Sequence, residues 1–137
     1  MILVDTNIFM YAAGAEHPYK APSVRFLQQV ASGGFEVAID AEVLQEILHR
    51  YYSAKRDPNG GLVYDLARQI VPLVLPITAD ILDWSRLLLD RYPELKARDA
   101  LHAAVVQSYG ALAICSYDGD FDQIEGLRRI EPSRVAD

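Results

Sequence analysis

The sequence predicts an α/β domain, with a central parallel sheet of four to five strands covered by helices on both faces. Three observations carry that prediction. Short apolar runs alternate with helical patterns from one end of the chain to the other. The first run, Ile2 to Val4, is continuously apolar and β-branched-rich, as in a strand buried on both faces. Ala97 to Tyr109 is an alanine-rich helical segment whose small side chains suit close packing on a sheet.

Each element follows from local signals. After the first strand and Asp5-Thr6-Asn7, Ile8 to Ala13 reads as a short helix stopped by Gly14. His17-Pro18 and Ala21-Pro22 break the chain, and Ser23 to Ala31 resumes a helix before Ser32-Gly33-Gly34. Phe35 to Ile39 is a second strand. Val43, Leu44, Ile47, Leu48 and Tyr51 mark an amphipathic helix over Ala41 to Ala54, with Asp40 as its N-cap and Asp57-Pro58-Asn59-Gly60-Gly61 as its terminator. A helix over about Leu62 to Val71 precedes a third strand, Leu73 to Ile77. Thr78 caps the next helix, Ala79 to Arg91, which carries Trp84 on its apolar side as a core residue. Gly110 closes the alanine-rich helix, Ala111 to Cys115 is the fourth strand, Asp120 opens a helical turn, and Arg128 to Glu131 is a candidate fifth strand at the sheet edge.

Composition narrows the class. The chain has 137 residues, 51% of them apolar and 23% charged, which fits one globular domain spanning residues 1–137 and argues against disorder. The longest apolar stretch, Ile70 to Ile77, is too short to cross a bilayer and contains Pro72 and Pro76. Met1 leads straight into the first strand with no secretory signal pattern. The single cysteine, Cys115, permits no internal disulfide and reads as a small buried hydrophobe. A cytoplasmic protein is expected. The net charge of −6 is the wrong sign for general electrostatic binding of nucleic acid. Local groups of positive charge exist nonetheless, at His49-Arg50 with Lys55-Arg56 and at Lys96 with Arg98.

Four acids stand where strands end or helices begin: Asp5, Glu46, Asp99 and Asp118. In a parallel α/β sheet the carboxyl ends of the strands converge on one edge, so residues far apart in sequence meet there. Carboxylates without matching histidines or cysteines suit a hard cation, Mg²⁺ or Mn²⁺, and a cation held that way most often works on phosphates. Each acid also has a plainer role. Asp5 is a helix cap; Glu46 pairs with Arg50 four residues on; Asp99 complements the dipole of its helix. Thr6, Asn7 and Ser116 are capping or supporting groups. His102 is a packing or hydrogen-bonding residue rather than a ligand. Asp120 with Gln123 has capping-box spacing, and Asp122 is a further acid in the same turn. Ile8, Phe9 and Tyr11, or Tyr51 and Tyr52, are read as core, with a partner helix as the other option.

The series Val4-Asp5-Thr6-Asn7, Leu44-Gln45-Glu46-Ile47-Leu48, Arg98-Asp99-Ala100-Leu101-His102-Ala103-Ala104 and Ser116-Tyr117-Asp118-Gly119-Asp120-Phe121-Asp122 resembles the PIN-domain family, most of all the VapC-type toxin ribonucleases. The resemblance spans essentially the whole chain. It implies a three-layer α/β/α sandwich with strand order 3-2-1-4-5, and catalytic acids at Asp5, Glu46, Asp99 and Asp118. It implies Mg²⁺ or Mn²⁺, one or two ions, held mainly by Asp5, Asp99 and Asp118, with Glu46 and Asp122 as further candidate ligands. Thr6, Asn7 and Ser116 would support the ligands, and Arg50 and Arg98 would contact phosphate. RNA as substrate, a cognate antitoxin as inhibitor and a homodimer are likewise implied, with no membrane partner. Tyr117 departs from the pattern, since a basic or polar residue is common beside that acid. Two alternatives are a catalytically silent RNA- or protein-binding module and a phosphohydrolase acting on small molecules. The latter is disfavoured because Asp5-Thr6-Asn7 is not the expected Asp-x-Asp. A receiver-like domain is disfavoured because no lysine occupies residues 115–118.

Overall fold

The computed structural model describes residues 1–53 and 55–135. Five strands, β1 (Ile2–Val4), β2 (Val37–Asp40), β3 (Val74–Leu75), β4 (Ala113–Cys115) and β5 (Arg129–Ile130), form one all-parallel sheet in the order β3-β2-β1-β4-β5. The helices are α1 (Thr6–Ala13), α2 (Lys20–Ala31), α3 (Ala41–Tyr52), α4 (Gly60–Ile70), α5 (Ala79–Arg91), α6 (Ala97–Tyr109) and α7 (Pro132–Val135), with a 3₁₀ turn at Gly119–Gln123.

Alternation along the strands splits the core into two layers. Leu3, Ala38 and Ile114 face α5, α6 and the 3₁₀ turn. Their neighbours Val4, Ile39 and Cys115 face α1 to α4 on the other side. The result is the expected three-layer α/β/α sandwich. Ala100, Ala103 and Ala104 of α6 are fully buried, as its small residues predict. Gly110 ends that helix at φ 67°, a left-handed conformation that favours glycine. Cys115 is buried, and burial, aided by the charge of Asp5, pushes its thiol pKa well up.

Several boundaries differ from expectation, each for a physical reason. Helix α1 begins at Thr6 rather than Ile8 because Asp5 caps it directly. Helix α2 begins at Lys20 rather than Ser23: Pro22 lies in its first turn, where a missing N–H costs nothing. Strand β2 is Val37–Asp40, so Asp40 ends the strand as well as capping α3. Helix α3 is described to Tyr52, and the expected end at Ala54 lies outside the described residues. Strand β3 is only Val74–Leu75, flanked by Pro72 and Pro76, neither of which can donate to the ladder. Trp84 is not core: it is 43% exposed, and its indole N–H donates to the Gln107 Oε1 at 2.5 Å. No helix among the described residues is long and apolar enough to cross a membrane.

Candidate active site

The sheet order places a topological switch between β1 and β4: the chain winds outward to β2 and β3 on one side and to β5 on the other. The register of β1 against β4 pairs Val4 with Cys115, so Asp5 and Ser116 emerge side by side. The Asp5 N–H donates to the Cys115 carbonyl at 3.0 Å, which locks the two strand ends together.

Asp5 serves the fold and the site at once. Its Oδ1 accepts the Thr6 N–H at 2.7 Å, capping α1. Its Oδ2 accepts the Ser116 hydroxyl at 2.6 Å. Ser116 Oγ in turn accepts the Asn7 amide at 3.1 Å and the Asp118 N–H at 3.0 Å. Asn7 Oδ1 receives the Tyr117 N–H at 3.4 Å. The three supporting residues expected from the sequence therefore lie beside Asp5, with Asn7 and Ser116 in one network tying the start of α1 to the turn after β4. Asp118 caps the 3₁₀ turn by accepting the Asp120 N–H at 2.9 Å, so the cap is Asp118 and not Asp120. Gln123 donates instead to the Asp120 carbonyl.

Glu46 does not pair with Arg50. Its side chain is only 11% exposed, and its Oε1 accepts the His102 Nε2–H at 2.7 Å. The opposite nitrogen, His102 Nδ1, meets Asp40 Oδ2 at 2.6 Å. Asp40 Oδ1 meanwhile caps α3 through the Val43 N–H at 3.0 Å. Burial disfavours a charged His102, yet Asp40, Glu46 and Asp5 outweigh it and hold the imidazole pKa well above its usual range. His102 is thus an imidazolium strung between two carboxylates. Burial likewise works against an ionised Glu46, and the His102 hydrogen bond and charge hold its pKa below the ordinary value. This Asp40–His102–Glu46 chain is the feature sequence reasoning missed. The nearest signal was the spacing of Asp40 at a strand end and His102 one turn after Asp99.

Asp99 lies in the first turn of α6, and its Oδ2 is buried with no hydrogen-bond partner. Burial and the neighbouring Asp118 raise its pKa to about 7. Burial also raises that of Asp5, against the pull of His102. Oxygens of Asp99, Asp118 and Asp120 lie within 4.8 Å of one another. Asp122, the other acid of the turn, goes elsewhere: Arg129 grips both its oxygens at 2.9 and 3.0 Å, and it does not line the cleft. The 3₁₀ geometry turns Asp120 inward and Asp122 toward β5.

Asp5, Glu46, Asp99 and Asp118 line one cleft of about 240 Å³ with Thr6, Asn7 and Met10. Its rim carries His49, Arg50, Lys96 and Arg98. Acids at the floor under cations at the rim could hold a cation below and an anion above. The buried Thr6 hydroxyl lies against Glu46 and helps to hold its pKa down. An all-oxygen donor set with an orphaned carboxylate oxygen fits a hard divalent cation.

A PIN-domain family model matches residues 2–127. The chain belongs to the PIN-domain family. VapC ribonuclease Mb1869c of Mycobacterium bovis and ribonuclease VapC13 of Mycobacterium tuberculosis are each 44% identical to it over 130 residues, covering 95% of this chain and 99% of theirs. Ribonuclease VapC23 of Mycobacterium tuberculosis is 36% identical over 118 residues, 86% of this chain and 93% of its own. Among solved PIN folds, Mycobacterium tuberculosis VapC20, described as a sarcin-ricin loop cleaving toxin, superposes with a TM-score of 0.72 at 23% identity, over 96% of this chain and 100% of the other. A toxin–antitoxin complex from Klebsiella pneumoniae gives 0.68 at 21%, over 96% and 98%. These two likenesses concern the fold. The identities above 30% place this PIN domain with the VapC-type proteins.

Proposed function

We propose that this PIN domain is a metal-dependent endoribonuclease and the toxin of a toxin–antitoxin pair, cutting RNA phosphodiester bonds. The observation that carries the reading is the convergence of Asp5, Glu46, Asp99 and Asp118 in one cleft under Arg50, Lys96 and Arg98. Asp5, Asp99 and Asp118 would hold Mg²⁺ or Mn²⁺, with Asp120 within reach and Asp122 withheld by Arg129. A bound ion supplies an activated water and charge neutralisation at the phosphoryl oxygen. Glu46, fixed by His102, orients the attacking water. Ser116 and Asn7 hold Asp5 and the backbone before Asp118 in place. Arg50 and Arg98 bind the phosphate, which the acidic floor alone would repel.

The names of the relatives support an antitoxin partner. An apolar groove of about 250 Å³ between α1, α2 and α4, lined by Phe9, Leu27, Val63, Leu66 and Ile70, suits an apolar segment of such a protein. Exposed Leu82, Trp84 and Leu87 on α5 are available for self-association. A cytoplasmic site of action is part of the same reading, in keeping with an RNA target.

The test is cleavage of defined RNAs by the wild-type protein and by Asp5→Asn with Mg²⁺, Mn²⁺ or EDTA. Metal-dependent cutting that disappears in a folded Asp5→Asn variant is expected. Cutting at the wild-type rate by Asp5→Asn with metal present would remove Asp5 from the chemistry. RNA binding without cleavage at any metal concentration would make the chain a silent binding module.

A further inference from the structure

A second cleft adjoins the acidic one. It measures about 430 Å³, and Asn7, Met10 and Arg50 line both, so the two share a wall. Its far walls are Tyr11, His17 and Glu16. Tyr11 lies one helical turn beyond Asn7 on α1. Four residues of helix span about 6 Å, close to two stacked nucleotides at about 3.4 Å each.

The aromatic wall is packed and hydrogen-bonded within itself. Tyr19 and Tyr117 stack face to face, 3.9 Å between centroids and 6° between planes. Tyr11 meets both edge-on, at 5.2 and 5.4 Å. His17 lies tilted over Tyr11 at 4.6 Å and near Tyr19 at 4.9 Å. The Tyr117 hydroxyl bonds Ser23 Oγ at 2.8 Å and donates to the Tyr19 carbonyl at 3.2 Å. The Tyr19 N–H donates to His17 Nδ1 at 3.0 Å, and Lys20 Nζ donates to the Gly14 carbonyl. Tyr19, Tyr117 and Ser23 already anchor the loop between α1 and α2. His17 is exposed, and the bond from the Tyr19 N–H to its Nδ1 fixes its ring beside Tyr11 at the cleft.

We propose, on the ribonuclease reading above, that Tyr11 and His17 form a stacking subsite for the base of a nucleotide flanking the scissile phosphate, with Glu16 at the base edge. Aromatic faces beside a phosphate site are how single-stranded RNA is gripped without sequence demand. Arg50, shared by the two clefts, holds the connecting phosphate. The Glu16 carboxylate repels phosphate from the aromatic cleft and accepts from an exocyclic amine, so the cleft takes the base and not the backbone. Tyr117 contributes by buttressing Tyr11, which gives a role to the one residue that departs from the pattern of the family beside the fourth acid.

The test is steady-state cleavage of a short RNA, intact or with single abasic positions around the cut site, by the wild type, His17→Ala, Tyr11→Leu and Glu16→Gln. Loss of one stacking partner is expected to raise KM about tenfold on intact RNA and to lower kcat far less. An abasic nucleotide in the subsite is expected to cost the wild type about tenfold as well, and to cost His17→Ala almost nothing further. Glu16→Gln leaves the aromatic packing untouched and should alter the preference between amine-bearing bases and uracil. Cleavage with unchanged KM in the variants, or an abasic penalty equally large in all of them, refutes the subsite and leaves the nuclease reading standing. Failure of the wild type to cut or bind any RNA removes both.

Discussion

Replacing His102 with alanine puts the buried chain Asp40–His102–Glu46 to a quantitative test. The imidazole is 1% exposed and is held at 2.6 and 2.7 Å by two carboxylates. Removing it strands both, Asp40 fully buried and Glu46 nearly so. Breaking a buried ion pair from one side costs about 3–5 kcal/mol. For 137 residues the unfolding entropy is about 0.29 kcal/mol/K. A loss of about 4 kcal/mol therefore lowers Tm by about 14 °C. The deficit depends on pH in a definite direction. The folded pKa of His102 is raised above 6.5, so its contribution is complete below that value and fades as pH rises through the folded pKa. The folded pKa of Glu46 lies below 4.5, so its contribution is complete above that value and is lost as pH falls through the folded pKa. The difference between wild type and variant is then greatest between these two values and shrinks in strong acid. Calorimetric melting in EDTA at a series of pH values measures it. A variant melting within about 3 °C of the wild type near pH 6, roughly 1 kcal/mol by the same conversion, would refute the ionic bridge, as would a deficit that persists unchanged in acid.

Three further outcomes are expected. Asp99 has a folded pKa near 7 against 3.8 unfolded, so apo stability falls as pH rises between those values. Asp99→Asn should abolish that slope in EDTA melts, while wild-type Mn²⁺ affinity, followed by calorimetry, climbs over the same range because a proton must leave. Ser116→Ala removes the hydroxyl that binds Asp5, Asn7 and the Asp118 N–H; metal affinity should drop about tenfold or more with the fold retained, as read by metal titration and circular dichroism. Arg98→Ala and Arg50→Ala should each raise KM for RNA and flatten the salt dependence of binding by about 0.7 in log–log slope per lost phosphate contact, measured by titration at several salt concentrations.

Much of the fold was legible because it rests on local patterning. Ile2 to Val4, the amphipathic run after Asp40 and the alanine-rich helix each announce an element in their own residues. Asp5, Asp99 and Asp118 stand at element boundaries that parallel topology brings to one edge, whereas Glu46 lies within α3 and its own helix periodicity pointed to Arg50 instead. What escaped depends on contacts between distant segments. Nothing near Asp40 signals that its second oxygen will meet His102, 62 residues on. Asp122 and Asp120 look equivalent in sequence, and only the 3₁₀ turn and Arg129 tell them apart. Trp84 fits an apolar stripe by periodicity, but Gln107 of α6 satisfies its indole N–H at the surface. Tyr11, His17, Tyr19 and Tyr117 come from three separate segments, and only folding makes them neighbours.

The two outer strands, Val74–Leu75 and Arg129–Ile130, are each two residues long. One is bracketed by Pro72 and Pro76, and the other carries a guanidinium clamped to Asp122. Neither margin offers a row of free amides and carbonyls for a foreign strand to extend. The surfaces left for a partner protein are therefore the helical faces and the mouth of the acidic cleft. The same blunted margins keep copies of the chain from zipping together edge to edge.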